Sequence, residues 1–206
     1  MASALLSSAL EILEAEGPDG LSVRRIASAA GVAPMGVYNH FASKNGIIDA
    51  LFIEGYEQLR QAMTTLDEAD PYEALRQCGR RYRSLALGHP MMYQLMFLRT
   101  IPGYEPSEMA KEVALRAFDG VVSAVQRAMD AGVLRVEPAT ELAQLIWASV
   151  HGWVSLEVTG IGFAVDQAGG FDQLCTAVLA GLAPPGAPGS PDATASPGAE
   201  GSGPAD

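Results

Sequence analysis

The stretch Leu21–Leu51, LSVRRIASAAGVAPMGVYNHFASKNGIIDAL, decides how this chain is read. Ser22 has the side chain of a helix N-cap and Gly31 the conformational freedom of a C-terminal stop, so a short helix is expected over about 23–30. Pro34, in its favoured first-turn position, opens a second over about 34–41. Ser43 caps a third, longer helix that carries Ile47, Ile48, Leu51, Phe52, Tyr56, Leu59 and Met63 along one face. Ile26, Ala27, Val32, Val37 and Tyr38 are expected to form the small core between them. Two short helices joined by a glycine turn follow helix-turn-helix logic. The first braces, and the second projects its N-terminal side chains into a major groove ~12 Å wide.

Outward from this stretch the chain reads as helix on both sides. Leu6, Leu10 and Leu13 give helical spacing over about 3–16, ending at Gly17-Pro18. Further helices are expected over about 71–88, 90–99, 106–131, 138–160 and 167–182, with Pro71, Pro90, Pro102, Pro106 and Pro138 marking the breaks. Alternating segments rich in Val, Ile and Thr with hairpin turns are missing, so no sheet is expected. The fold class is all-α, with about nine helices. Residues 184–206 hold six of the thirteen prolines and no large apolar side chain, and such a stretch is expected to stay disordered because burial cannot offset its ordering entropy.

Composition bounds the function. Of 206 residues, 49% are hydrophobic, enough for a sizeable core, and no apolar run approaches the ~18 residues of a membrane span. No secretory signal pattern opens the chain, and the two cysteines, Cys78 and Cys175, have no metal or disulfide spacing. A reduced cytoplasmic protein with no metal, no cofactor and no membrane partner is expected. The net charge is −11, and no segment is basic: residues 1–55 carry Arg24, Arg25 and Lys44 against six carboxylates. Any nucleic-acid site must therefore rest on local placement of a few cations. No Gly-rich phosphate loop, nucleophile elbow or His-metal motif is present, so catalysis is not expected.

The motifs Leu21-Ser22, Ile26-Ala27, Ala30-Gly31-Val32, Tyr38-Asn39-His40-Phe41 and Ser43-Lys44 together resemble the DNA-binding domain of the TetR family of bacterial transcriptional regulators. More loosely, His89-Pro90, Tyr93, Met96-Phe97, Ala131-Gly132-Val133-Leu134 and Trp147-x-x-x-His151-Gly152 resemble a Trp-His-Gly subgroup of its ligand domains. The resemblance implies a homodimeric all-helical regulator, bound to a near-palindromic DNA operator and responsive to a small-molecule effector, in the commonest case a repressor. It implies a DNA-binding domain over 1–45 and an effector-binding and dimerisation domain over 46–183. Two departures stand out. The opening MASALLSSALEIL lacks the basic residues the family usually carries there, and Ala33 replaces the frequent serine cap of the recognition helix.

The residues expected at DNA are Ser22, Arg24, Arg25, Pro34, Met35, Gly36, Tyr38, Asn39, His40 and Lys44. Tyr38 and Lys44 are assigned to phosphates, Asn39 to a base edge or phosphate, and Met35 and Pro34 to thymine methyls or to shaping the turn. Arg24 and Arg25 open one helix, so one is expected to face DNA and the other solvent. An excess of aromatic and methionine residues suggests an effector pocket of Tyr82, Met92, Tyr93, Met96, Phe118 and Trp147, with His151 as a polar handle; ordinary core is the competing reading. Its ligand is expected to be a neutral or cationic lipophile. Small residues Ala148 and Gly152 beside Leu156, Leu174 and Val178 suggest a dimer interface of the last two helices. Arg76, Arg80, Arg81 and Arg83 read as a solvated face. Two rival classes remain: a helical enzyme or carrier, and a helical interaction protein whose helix-turn-helix no longer binds DNA.

Overall fold

The computed structural model describes residues 2–64, 68–98 and 101–187; the stretch 188–206, most of the expected tail, lies outside the described residues. Among the described residues there are nine α-helices, one 3-10 turn over Pro18–Gly20 and no strand. The helices are α1 Ala2–Glu16, α2 Val23–Ala29, α3 Pro34–Phe41, α4 Lys44–Thr64, α5 Pro71–Gly88, α6 Pro90–Phe97, α7 Glu108–Asp130, α8 Ala139–Val158 and α9 Gln167–Gly181.

Local chemistry sets most of these limits. The Arg25 amide donates to Ser22 Oγ (3.3 Å) at the start of α2, and Gly31 leaves the helix at φ 66°. At α3 the alanine at position 33 offers no side-chain cap. The Ala110 amide donates to Ser107 Oγ (3.2 Å), which starts α7 two residues beyond the start suggested by Pro106. A serine oxygen that satisfies an orphan amide outweighs the proline signal.

Leu5, Leu13, Ile26, Val37, Ile47 and Leu51 bury completely where α1 to α4 meet. Tyr38 does not join them: it is 51% exposed, a correction to the core expected from sequence. Val37 fills that volume, and the next residue along α3 turns outward. Helix α4 continues without interruption past residue 45 and packs most extensively on α7, with further contacts to α1, α5 and α6. At the α4–α6 crossing, Gly55 leaves space that the Met92 and Met96 thioethers occupy.

The arginines on α5 are used within the chain. Arg80 Nε donates to Asp172 Oδ1 (2.9 Å), Arg83 pairs with Glu157, and Arg76 Nη1 donates to Glu73 Oε1 (2.9 Å). Through Arg80 and Arg83 they tie α5 to α9 and α8; Arg80 stays exposed, and Arg76 and Arg83 are half-buried.

Candidate nucleic-acid interface and effector cavity

Helix α3 presents an exposed face. Its only buried residue is Val37, while Pro34, Met35, Tyr38, Asn39 and His40 are exposed and Gly36 is half-buried. Lys44, exposed, opens α4 beside it. There Ser43 Oγ accepts from the Gly46 amide (3.1 Å), and the first-turn N–H groups that remain add partial positive charge at the same place. The local charge resolves the acidic balance. Between Asp19 and Asp49 there is no carboxylate, although the chain holds 24 of them, and the same stretch carries Arg24, Arg25 and Lys44.

The two arginines separate. Arg25 forms a two-armed ion pair with Glu16 of α1, and the Arg25 hydrogen bond holds the Glu16 carboxyl below its usual range. Arg24 is exposed and has no side-chain partner among the described residues. Arg25 thus braces α2 against α1, and of the two only Arg24 is without a side-chain partner among the described residues. Ser22 remains half-buried in its capping position.

A second feature lies between α4, α5, α6, α7 and α8. An open cavity of about 480 Å³, within the range of small-molecule sites, has Phe52, Tyr56, Leu59, Met63, Phe97, Phe118, Tyr82 and Trp147 in its lining. Of the seven residues expected there, it takes Tyr82, Phe118 and Trp147. Met92 and Met96 do not line it, because they fill the α4–α6 crossing at Gly55. Tyr93 and His151 stand one layer behind. Tyr82 Oη lies 2.8 Å and Tyr93 Oη 3.0 Å from His151 Nδ1, and Tyr93 Oη is 3.0 Å from Ser155 Oγ. Burial pushes the His151 imidazole below its ordinary range and the Tyr82 phenol above its own. A neutral ring has one lone pair at Nδ1 and accepts from one phenol at a time, while Tyr93 Oη has Ser155 Oγ as its alternative partner. The α4 residues of the wall were legible only as one helical face, which sequence alone assigns to core.

Helices α4 and α6 connect this cavity to the helix-turn-helix. Glu14 of α1 accepts the Met91 and Met92 amides (3.0 and 2.9 Å), closing the N-terminus of α6, whose last residue, Phe97, lines the cavity. Tyr56 Oη donates to the Met96 carbonyl (3.2 Å), with the phenol pushed up to about 12 by burial. Near the N-terminal end of α4, Asp49 accepts the Ser107 amide and hydroxyl (2.9 and 2.7 Å) and the Tyr104 hydroxyl (3.0 Å), while Asn45 Nδ2 donates to the Gly103 carbonyl (2.9 Å).

On the outer side of α8, Leu145, Ala148, Gly152 and Leu156 form one stripe at the surface, and a Cβ on Gly152 would meet nothing within 4 Å. Leu174 and Val178 of α9 are half-buried. Cys78 and Cys175 are buried free thiols, both pushed up to about 11 by burial. No group of metal-ligating side chains occurs among the described residues, and no helix there is long and apolar enough to cross a membrane.

Comparison with known proteins agrees with this geometry. A family model described as "Bacterial regulatory proteins, tetR family" matches residues 5–51, and one described as "Tetracyclin repressor-like, C-terminal domain" matches residues 75–195. The chain is 25% identical over 179 residues to the uncharacterized HTH-type transcriptional regulator Rv0681 of Mycobacterium tuberculosis, covering 86% of this chain and 79% of that one. A solved structure of a protein with unknown function from Rhodococcus sp. RHA1 superposes with a TM-score of 0.76 at 28% identity, covering 89% of this chain and 95% of the other. The TetR family regulator PfmR of Thermus thermophilus shares the fold, with a TM-score of 0.64 at 20% identity over 85% of this chain and 96% of its own.

Proposed function

Since the chain belongs to the TetR family of DNA-binding bacterial transcriptional regulators, we propose that it is a cytoplasmic homodimeric repressor, released from a near-palindromic operator by a small apolar effector. Residues 1–45 carry the DNA contacts and 46–183 the effector cavity and dimer face. The observation that carries the DNA half is the exposed α3 face joined to Lys44 in a stretch free of carboxylates. Arg24, Pro34, Met35, Gly36, Tyr38, Asn39, His40 and Lys44 are its contact set, with Ser22 as cap.

Lys44→Ala is expected to weaken binding nearly equally on all sequences and to lower the salt slope by about one, as loss of one phosphate contact should. Titrations of the selected operator at several salt concentrations check this; an unchanged slope removes Lys44 from the phosphate contacts. Genomic fragments retained by the protein supply that operator.

The effector half rests on the cavity and on the helices it shares with the reading head. A ligand among Phe52, Tyr56 and Phe97 bears on α4, which starts at Lys44, and on α6, which Glu14 holds to α1. Such a ligand favours whichever arrangement of these helices it fits best, and release follows if that arrangement takes the two recognition helices off their required ~34–36 Å spacing.

Filling the cavity tests this. Met96→Trp would overpack the α4–α6 crossing, so Ala114, half-buried on the cavity wall, is the position to fill. Ala114→Phe is expected to keep operator binding and to lose effector release. If effectors found by screening release the variant as well as the native protein, the cavity is ordinary packing space.

A further inference from the structure

The polar groups around the cavity divide into two kinds. Those facing its interior are already engaged: the Tyr56 hydroxyl donates to the Met96 carbonyl, and the Tyr82 hydroxyl is held by His151 Nδ1 and the Trp147 indole. A ligand body in that space finds apolar surface and no free donor or acceptor. Any hydrogen-bonding group buried there would be left without a partner, which costs ~1–3 kcal/mol. Two polar side chains remain in the lining, both exposed: Lys111 of α7 and Gln144 of α8.

The apolar stem of Lys111 contributes to the lining while its ammonium, on a side chain 54% exposed, reaches solvent. Its partner is Glu108 Oε1 at 2.7 Å, and the Glu108 side chain is 87% exposed. Ion pairs this exposed are worth little, so a second carboxylate competes readily for the ammonium. Gln144, without a hydrogen bond among the described residues, lines the same cavity from α8.

We infer that the effector is an anionic amphiphile with one carboxylate: an unfunctionalised hydrocarbon body fills the cavity and a single carboxylate head is held at its mouth by Lys111. This rests on the effector reading above and replaces the neutral or cationic lipophile expected from sequence. That expectation weighed clustered arginines and had no means of placing Lys111 at a cavity mouth. The acidic neighbours Glu105, Glu108 and Glu112 work in the opposite sense, favouring a cationic head, and this makes the head group the discriminating variable.

The test uses the full-length protein without DNA, titrated by calorimetry with dodecanoate, dodecanol and dodecylamine, each below its micellar concentration. Dodecanoate is expected to bind about threefold tighter than dodecanol and tighter still than dodecylamine, the discrimination one solvent-exposed charge pair supplies. Lys111→Met, which keeps the apolar stem, is expected to collapse the carboxylate-to-alcohol ratio to near one, and Ala114→Phe to abolish binding of both. Equal or tighter binding of the amine, or a ratio that survives Lys111→Met, overturns the head-group assignment. If carboxylate and alcohol bind equally and both are lost in Ala114→Phe, the cavity reading stands and the head-group inference alone fails. If none of the three binds, or binding survives Ala114→Phe, both fail.

Discussion

Gly46→Ala is expected to lower stability by about 2–4 kcal/mol, or roughly 5–15 °C in Tm, and to remove operator binding with it. Gly46 sits in the first turn of α4, where alanine is ordinarily the better residue by about 1 kcal/mol. The usual sign is reversed by what lies opposite. A Cβ built there would overlap the Phe41 carbonyl oxygen and come within 2.9 Å of its carbon. That obstacle is backbone and cannot rotate aside as a side chain end would. It is held in place by Ala42, which turns the chain from α3 into α4 at φ 56°, a region that non-glycine residues seldom occupy. Relief therefore requires the α3–α4 turn to open, which moves the recognition helix relative to Lys44. Gly36→Ala is the matched control. Its nearest neighbour would be Val32 Cγ2 at 3.8 Å, so helix propensity alone should act and stability should hold or rise slightly. Thermal melts of both variants decide the matter; a Gly46→Ala protein as stable as the native one would show that the turn is not rigid.

Ala148→Arg is expected to leave the fold intact, convert the protein to a monomer and reduce operator affinity on the order of 10³-fold, within the range by which linked binding exceeds single-site binding. Ala148 is exposed at the centre of the α8 stripe that also holds Leu145, Gly152 and Leu156, so an arginine there meets solvent in the isolated chain. In a twofold interface the same position recurs on both copies, which places two bulky like charges near each other in a dry contact. Leu174 and Val178 of α9 are half-buried. The affinity loss follows because one reading head must then bind a half-site without its linked partner. Sedimentation of the native and variant proteins, followed by operator titration, checks both steps. A native protein that is monomeric at micromolar concentration, or a variant still dimeric, would place the interface elsewhere.

The sequence by itself determined the helices and the reading head. Ser22, Gly31, Pro34, Ser43 and the proline breaks act within a few residues of where they stand, so caps and stops are legible without a tertiary structure. The exposed face of α3 follows from the same local logic, since Val37 alone of that helix turns inward. What the tertiary structure decided were the choices between equivalent residues. Arg24 and Arg25 are neighbours of one type, and only the position of Glu16 on α1 makes one a brace and leaves the other free. Methionine and aromatic side chains at helical spacing look alike in sequence whether they line space or fill it. Met92 and Met96 fill the gap at Gly55, while Phe52, Tyr56 and Phe97 border a cavity, because the crossing of α4 with α6 and the spacing of α7 from α8 set how much volume each side chain must occupy. That volume is a property of four helices at once, and no local pattern along the chain encodes it.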